Sequence, residues 1–492
     1  MVTMATMAEP QRIKGALSNP VVRAGLLFLA RKKPGQSSLL ERILLTYEKR
    51  SVWYLTPFYS IVDRFCDAMH ISRDDLISNI IGNMPLRTGL VNMCRSIGRY
   101  GPTFPQPFVA PMLVVWNFTN RCNLRCRHCY QEAGRPLPDE LTVEEQRHVI
   151  DELAQNNVPM LAFAGGEPLI SPSFWEIARY ARDRGIWTSV ASNGTLITKD
   201  NARRLKEVGI NYVEVSIDSA QPEKHDAFRG VAGYWNRAVD GVRNAVAVGI
   251  RVGLAPTMTT KNIDELQSMV DLARELGAQN FCAFNLVPTG RGKDMVEEDL
   301  TPWQREEMLA TLYENMGDDG LIVMTTCPQL GRFCVEQDPT GPMATSHMSV
   351  GHGPQARFLA EYTGGCGCGR AYCAIQPNGI VTPCVFMPIQ VGDLREQSLS
   401  DIWENSPTLR ELRSRENLKE HCGICEYRNV CGGCRARAYG YYGDYLAADP
   451  GCKFNSKAWQ ELSTASQAVR QPCRTTQYAS AVAALAATAD SR

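Results

Sequence analysis

The 492-residue sequence holds no apolar run close to the roughly 20 residues that a membrane-crossing helix requires. The apolar stretch Val21 to Ala30 is short and carries Arg23 and then Arg31, which suits a helix face rather than an anchor. Neither sign of charge is in surplus. Lys plus Arg and Asp plus Glu both count 52, which argues against a general polyanion partner such as nucleic acid. The first residues lack a long apolar segment followed by a small-residue cleavage site, so no signal peptide is read there. These absences lead to the expectation of a cytoplasmic protein.

What the chain does have is length for about two or three domains and an excess of cysteine, 18 in all. In a secreted chain so many thiols would suggest disulfides. Here they gather at Cys122 to Cys129 and at Cys366 to Cys452, in the close pairs of metal ligation. Cys122-Asn-Leu-Arg-Cys126-Arg-His-Cys129 ends an apolar run, Leu113 to Phe118, that reads as a buried strand. Thiolates on a short loop suit soft iron or zinc. Three ligands rather than four leave one metal position open. A zinc knuckle with its fourth ligand elsewhere is the alternative.

From Leu113 to Thr326 strand-like runs such as Tyr212–Ile217 and Arg251–Pro256 alternate with helical patterns such as Val143–Gln155, which predicts parallel strands with crossovers. A barrel and an open doubly wound sheet both satisfy that alternation. Thr142-Val-Glu-Glu145 marks a helix start by its capping-box pattern. Polar motifs follow successive strands: Gly165-Gly166-Glu167-Pro168, then Ser192-Asn193-Gly194-Thr195, then Ser216 and Asp218. The paired glycines would let backbone approach a ligand, and Glu167 could accept from an ammonium group. His225 and Arg229 read as surface residues with some potential for a substrate site.

The second cysteine field runs Cys366, Cys368, Cys373, Cys384, Cys422, Cys425, Cys431, Cys434 and Cys452. Two structural zincs and two iron–sulfur clusters both fit such a row. Residues 1–108 read as a helical extension. Residues 327–365, rich in Gly and Pro and holding Cys327, Cys334, His347 and His352, read as a connecting loop over the barrel mouth, and 456–492 as a tail.

The spacing Cys122-x3-Cys126-x2-Cys129 resembles the signature of the radical S-adenosylmethionine (radical SAM) enzymes. The resemblance implies an α/β fold with a partial (β/α)6 TIM-like barrel over residues 109–326. It also implies a [4Fe-4S] cluster on these cysteines whose open iron is chelated by S-adenosylmethionine. By family position Gly165, Gly166 and Glu167 match the motif that meets the methionine amino group, and Ser192, Asn193 and Ser216 resemble further cofactor contacts. Residues 366–455 resemble the SPASM extension of that family, which implies two auxiliary [4Fe-4S] clusters, one on Cys366, Cys373, Cys384 and Cys434, the other on Cys422, Cys425, Cys431 and Cys452. Two departures stand out. The Cys431–Cys434 gap is two residues where many relatives have three, and Cys368 is an extra thiol that could replace Cys366.

The run Arg435-Ala-Arg437-Ala-Tyr439 through Gly443-Asp-Tyr-Leu446 resembles the members that modify haem-related tetrapyrroles. The expected function is therefore a radical SAM oxidoreductase acting on a carboxylated tetrapyrrole, fed by an electron donor such as flavodoxin or ferredoxin. Arg332, Arg435 and Arg437 are candidates for the substrate carboxylates. A maturase acting on a precursor peptide is the second reading, and a non-catalytic iron–sulfur carrier or scaffold the third. No catalytic side chain is singled out.

Overall fold

A computed structural model describes residues 14–32, 36–68, 72–317, 320–345 and 348–462; His347, Cys473 and most of the predicted tail lie outside them. Strand follows helix through β1 (Leu113–Thr119), β2 (Met160–Gly165), β3 (Trp187–Ser192), β4 (Tyr212–Val215), β5 (Arg251–Leu254), β6 (Thr257–Met258), β7 (Asn280–Asn285) and β8 (Ile322–Thr325). All pair in parallel, in the order β1-β2-β3-β4-β5-β7, with β6 continuing the line of β5 along β7 and β8 also on β7. A doubly wound sheet reverses strand order at a switch point. This sheet never does, which is the barrel solution. β1 and β8 do not pair, so the barrel is partial.

The free edge of β1 is covered. β11 (Tyr372–Ile375), from the second cysteine field, pairs with it in parallel, and β12 (Ile380–Thr382) and β13 (Gly392–Asp393) extend the sheet antiparallel. An exposed parallel edge would invite pairing with other chains; here the cysteine-rich segment occupies it. One continuous apolar core, including Val114, Trp116, Phe163, Val190, Val213 and Phe281, fills the barrel and the helix layer.

The helix Val143–Gln155 opens with both capping-box bonds, Glu145 N–H to Thr142 Oγ1 at 3.3 Å and Thr142 N–H to Glu145 Oε2 at 2.8 Å. Among the described residues no helix is long and apolar enough to cross a membrane.

The N-terminal helices Pro20–Leu29, Leu39–Tyr47, Thr56–Ala68 and Met84–Tyr100 precede the barrel, and Ile43, Leu44, Tyr47 and Tyr59 share a small core of their own. The last of these helices lies under the start of the strands. Asn92 Nδ2 donates to the carbonyls of Ala110 and Asn157, and Gly89 faces Met112 and Pro159, all just ahead of β1 or β2. The extension thus sits at the end of the barrel away from the cysteine loop, which follows β1.

Residues 327–365 correct the expectation of a loop. They form a helix (Gln329–Gln337), a hairpin of β9 (Pro342–Thr345) and β10 (Met348–His352), and a second helix (Gly353–Thr363). Prolines that read as breakers stand at helix starts: Pro328 is the N-cap of the first helix, and Pro354 lies in the first turn of the second, where a missing N–H costs nothing.

Candidate active site

Cys122, Cys126 and Cys129 lie on the loop that leaves the C-terminal end of β1. Backbone and side-chain donors point at each thiol: Leu124 N–H to Cys122 Sγ at 3.4 Å, Arg229 Nη1 to Cys126 Sγ at 3.7 Å, and Ala133 N–H to Cys129 Sγ at 3.5 Å. Burial pushes the Cys122 thiol up to about 12, which keeps it protonated unless a cation is bound. The loop is braced from three sides. Glu140 accepts from Asn120 N–H at 2.7 Å and Thr119 Oγ1 at 3.0 Å. Arg291 donates to the carbonyls of Cys126 at 2.9 Å and Ala133 at 2.8 Å. Asn123 accepts from Asn193 Nδ2 at 2.8 Å and donates to Thr195 at 2.9 Å. None of Asn123, Glu140 and Arg291 was legible in the sequence, because a brace carries no spacing signal when its partner is 70, 20 or 165 residues away.

The predicted cofactor residues come together at the C-terminal ends of β2, β3 and β4. Glu167 is fully buried and accepts from Ser192 Oγ at 3.0 Å, Asn193 N–H at 2.9 Å and Leu169 N–H at 3.3 Å. Burial still raises its carboxyl to about 7 against those donors. Ser216 joins the row through its N–H, 3.0 Å from the Ser192 carbonyl. The glycines have a reason that the sequence did not suggest. A Cβ on Gly166 would stand 2.0 Å from the Arg121 carbonyl oxygen, and one on Gly165, where φ is +110°, would stand 2.7 Å from that of Thr119. The close approach is to the cysteine loop itself, and Gly166 N–H and Glu167 N–H bond those two carbonyls at 2.8 Å each.

Arg229 and His225 are not surface residues: both are buried. Arg229 Nε meets Asp218 Oδ2 at 2.6 Å, and Asp218 also accepts from Thr257 N–H at 2.8 Å. Burial opposes the Asp218 charge, but Arg229 holds its carboxyl below the usual range. His128 stacks on Phe228 with ring centroids 4.2 Å apart, and burial, helped by Arg229, pushes its imidazole down to about 3, so it stays neutral.

The second field resolves into two thiol sets. Cys422, Cys425, Cys431 and Cys452 line one pocket. In the other, Cys368 lies within hydrogen-bond reach of Cys366 and Cys384, and the Cys434 thiol interacts with those of Cys366 and Cys384. Cys373 is elsewhere. Successive residues of a strand face opposite ways. On β11, Tyr372 faces the thiol set while Cys373 and Ile375 turn into the barrel core. The expected set of Cys366, Cys373, Cys384 and Cys434 is therefore corrected: Cys368 stands where Cys373 was placed.

The arginines nominated for substrate carboxylates are corrected too. Arg332 is buried between Glu306 and Glu336. Arg437 is held by Asp299 at 2.7 Å and Asp449 at 3.2 Å. Arg435 donates to the carbonyls of Tyr445 at 3.0 Å and Ala447 at 2.8 Å. All three are spent on the protein. Cys327 is buried with its thiol donating to Gln329 at 2.7 Å, Cys334 is buried in the main core, and His352 is exposed.

A family model described as the radical SAM superfamily matches residues 116–273, and one described as an iron–sulfur cluster-binding domain, SPASM, matches 366–434. An AdoMet-dependent heme synthase of Methanosarcina barkeri is 39% identical over 345 residues, covering 70% of this chain and 96% of that protein. The chain belongs to the radical SAM superfamily. A Fe-coproporphyrin III synthase of the same organism is 33% identical over 69% of this chain and 87% of that one. Among solved structures, Streptococcus suis SuiB bound to S-adenosylmethionine has a similar fold, with TM-score 0.61 at 15% identity over 85% of this chain and 93% of that one.

As a radical SAM enzyme with a SPASM domain, the protein uses [4Fe-4S] clusters and S-adenosylmethionine. The zinc and scaffold alternatives give way to that membership. The residues fit the group: three thiols each with a donor pointed at it, and a buried carboxylate just past the end of the next strand.

Proposed function

We propose that this radical SAM enzyme acts on a carboxylated, haem-related tetrapyrrole, ending in oxidative decarboxylation or loss of a side chain. The observation that carries the reading is the 39% identity to a heme synthase along 96% of its length. When bound, the reduced cluster and S-adenosylmethionine would supply a 5′-deoxyadenosyl radical able to take a substrate hydrogen. The chain's part is to bind, orient and exclude water. Cys122, Cys126 and Cys129 would hold the first cluster. Gly165, Gly166, Glu167, Ser192, Asn193 and Ser216 would line the nucleotide. Cys366, Cys368, Cys384 and Cys434 would hold one auxiliary cluster, and Cys422, Cys425, Cys431 and Cys452 the other. Such oxygen-sensitive groups belong in a reducing cytoplasm, with electrons from a carrier such as flavodoxin or ferredoxin. Arg121 and Arg125, exposed on the cysteine loop, suit an acidic carrier.

The test is to supply an iron tetrapyrrole bearing propionate groups to reduced, anaerobic enzyme and follow its absorbance. A shift that accompanies 5′-deoxyadenosine formation is expected. No shift, with a precursor peptide losing two hydrogens instead, replaces this reading with the peptide maturase.

Glu167 is a buried carboxylate whose hydrogen bonds come from neutral donors, and a cofactor ammonium would add a charged one. A hydrogen bond to a charged group is worth about 1.5–3 kcal/mol, so Glu167→Gln should weaken S-adenosylmethionine binding about ten- to a hundredfold in anaerobic calorimetry. Cys368→Ala should cost about four irons per chain and Cys373→Ala none; the reverse pattern would restore Cys373 as the ligand.

A further inference from the structure

Buried charge needs a partner. Among the described residues, the buried arginines Arg229, Arg305, Arg332 and Arg437 each pair with a carboxylate. Arg370, Arg415 and Arg435 are as buried, and among the described residues no Asp or Glu lies within ion-pair distance of any of them. All three stand at the thiol sets. Arg370 donates to the carbonyls of Gln106 at 2.8 Å and Thr363 at 2.5 Å and reaches that of Cys366 at 3.5 Å. Arg435 Nη2 is 3.8 Å from Cys422 Sγ.

Arg415 touches both sets. Its Nη2 donates to the Cys366 carbonyl at 2.8 Å, while its guanidinium lies flat against Gly432, so close that a Cβ there would stand 2.4 Å from Cζ. Gly432 follows Cys431, and the sets meet at this point, Cys366 N–H bonding the Cys431 carbonyl at 3.0 Å. The Arg415 Nε is buried without a partner.

We propose that Arg415 is a positioning residue, the shared counter-ion of the two auxiliary clusters, setting the potentials of both. A cube of iron and sulfide on four thiolates is an anion, and its potential follows the local charge and hydrogen bonding. Reduction adds negative charge, so a nearby cation favours the reduced form. The inference rests on the thiol sets proposed above.

The experiment is a potentiometric titration of the reconstituted full-length enzyme, followed by electron paramagnetic resonance, with iron counted in each sample. In Arg415→Met both auxiliary signals should shift to more negative potentials, while Arg203→Gln, on an exposed barrel helix, moves neither. Unmoved potentials, or a shift in one cluster alone, overturn the proposal. If Arg415→Met fails to load, Arg415→Lys decides. Restored iron and wild-type potentials support the charge role, and failure to load means that shape and not charge is needed. A wild type holding only about four irons would instead sink the thiol sets themselves.

Discussion

Replacing Cys126 by alanine is expected to abolish 5′-deoxyadenosine formation and to remove about four of about twelve irons per chain. Three thiols are the whole protein ligation proposed for the first cluster. A cube that keeps an iron open for the nucleotide has none to spare. The surroundings of Cys126 survive the change, because Arg229 keeps Asp218 at 2.6 Å and the loop keeps Glu140 and Arg291. Loss of activity would then report lost ligation, and retained auxiliary signals would show that the rest had folded. Cys94→Ala, in a helix under the barrel, is the control and should retain full iron. Wild-type rates of nucleotide cleavage in Cys126→Ala would refute the assignment of this loop.

Replacing Asp299 by alanine is expected to lower unfolding free energy by about 3–5 kcal/mol, the usual cost of stranding a buried charge. Asp299 is 2% exposed and is one of the points where barrel and SPASM domain are tied. One oxygen accepts from Arg305 at 2.9 Å and the other from Arg437 at 2.7 Å and Tyr441 at 2.8 Å. Without it Arg305 keeps no carboxylate, while Arg437 keeps Asp449. Asp449 in turn accepts from Cys434 N–H at 2.8 Å and Gln329 at 2.7 Å, so the tie runs on to Cys434, a proposed cluster ligand. Asp299→Asn, which keeps the shape and some acceptor capacity, should lose less. Urea denaturation followed by tryptophan fluorescence measures both. A loss below about 1 kcal/mol in the alanine variant would mean that the arginine charges are solvated by another route.

Much of the barrel was legible because periodicity is local. The expected helix Val143–Gln155 agrees end for end with the one observed, and the expected strand Leu113–Phe118 falls one residue short of β1. The later strand ends were less legible. Ile217 and Pro256 read as strand continuations, yet β4 stops at Val215 and β5 at Leu254. At those points the chain turns to supply Ser216, Asp218 and Thr257 to the site, and apolar character does not mark where a ladder ends.

The spacing of the first three cysteines, the Gly-Gly-Glu turn and the alternation of strand and helix were determined by the sequence alone, since each is a relation among near neighbours along the chain. Strand order, the placement of Cys368 rather than Cys373 beside Cys366 and Cys384, and the withdrawal of Arg332, Arg435 and Arg437 into the interior were decided only by the tertiary structure. Those are relations between segments that meet through packing. Which way a strand faces, and which carboxylate reaches a buried guanidinium, depend on partners that no spacing in the chain records.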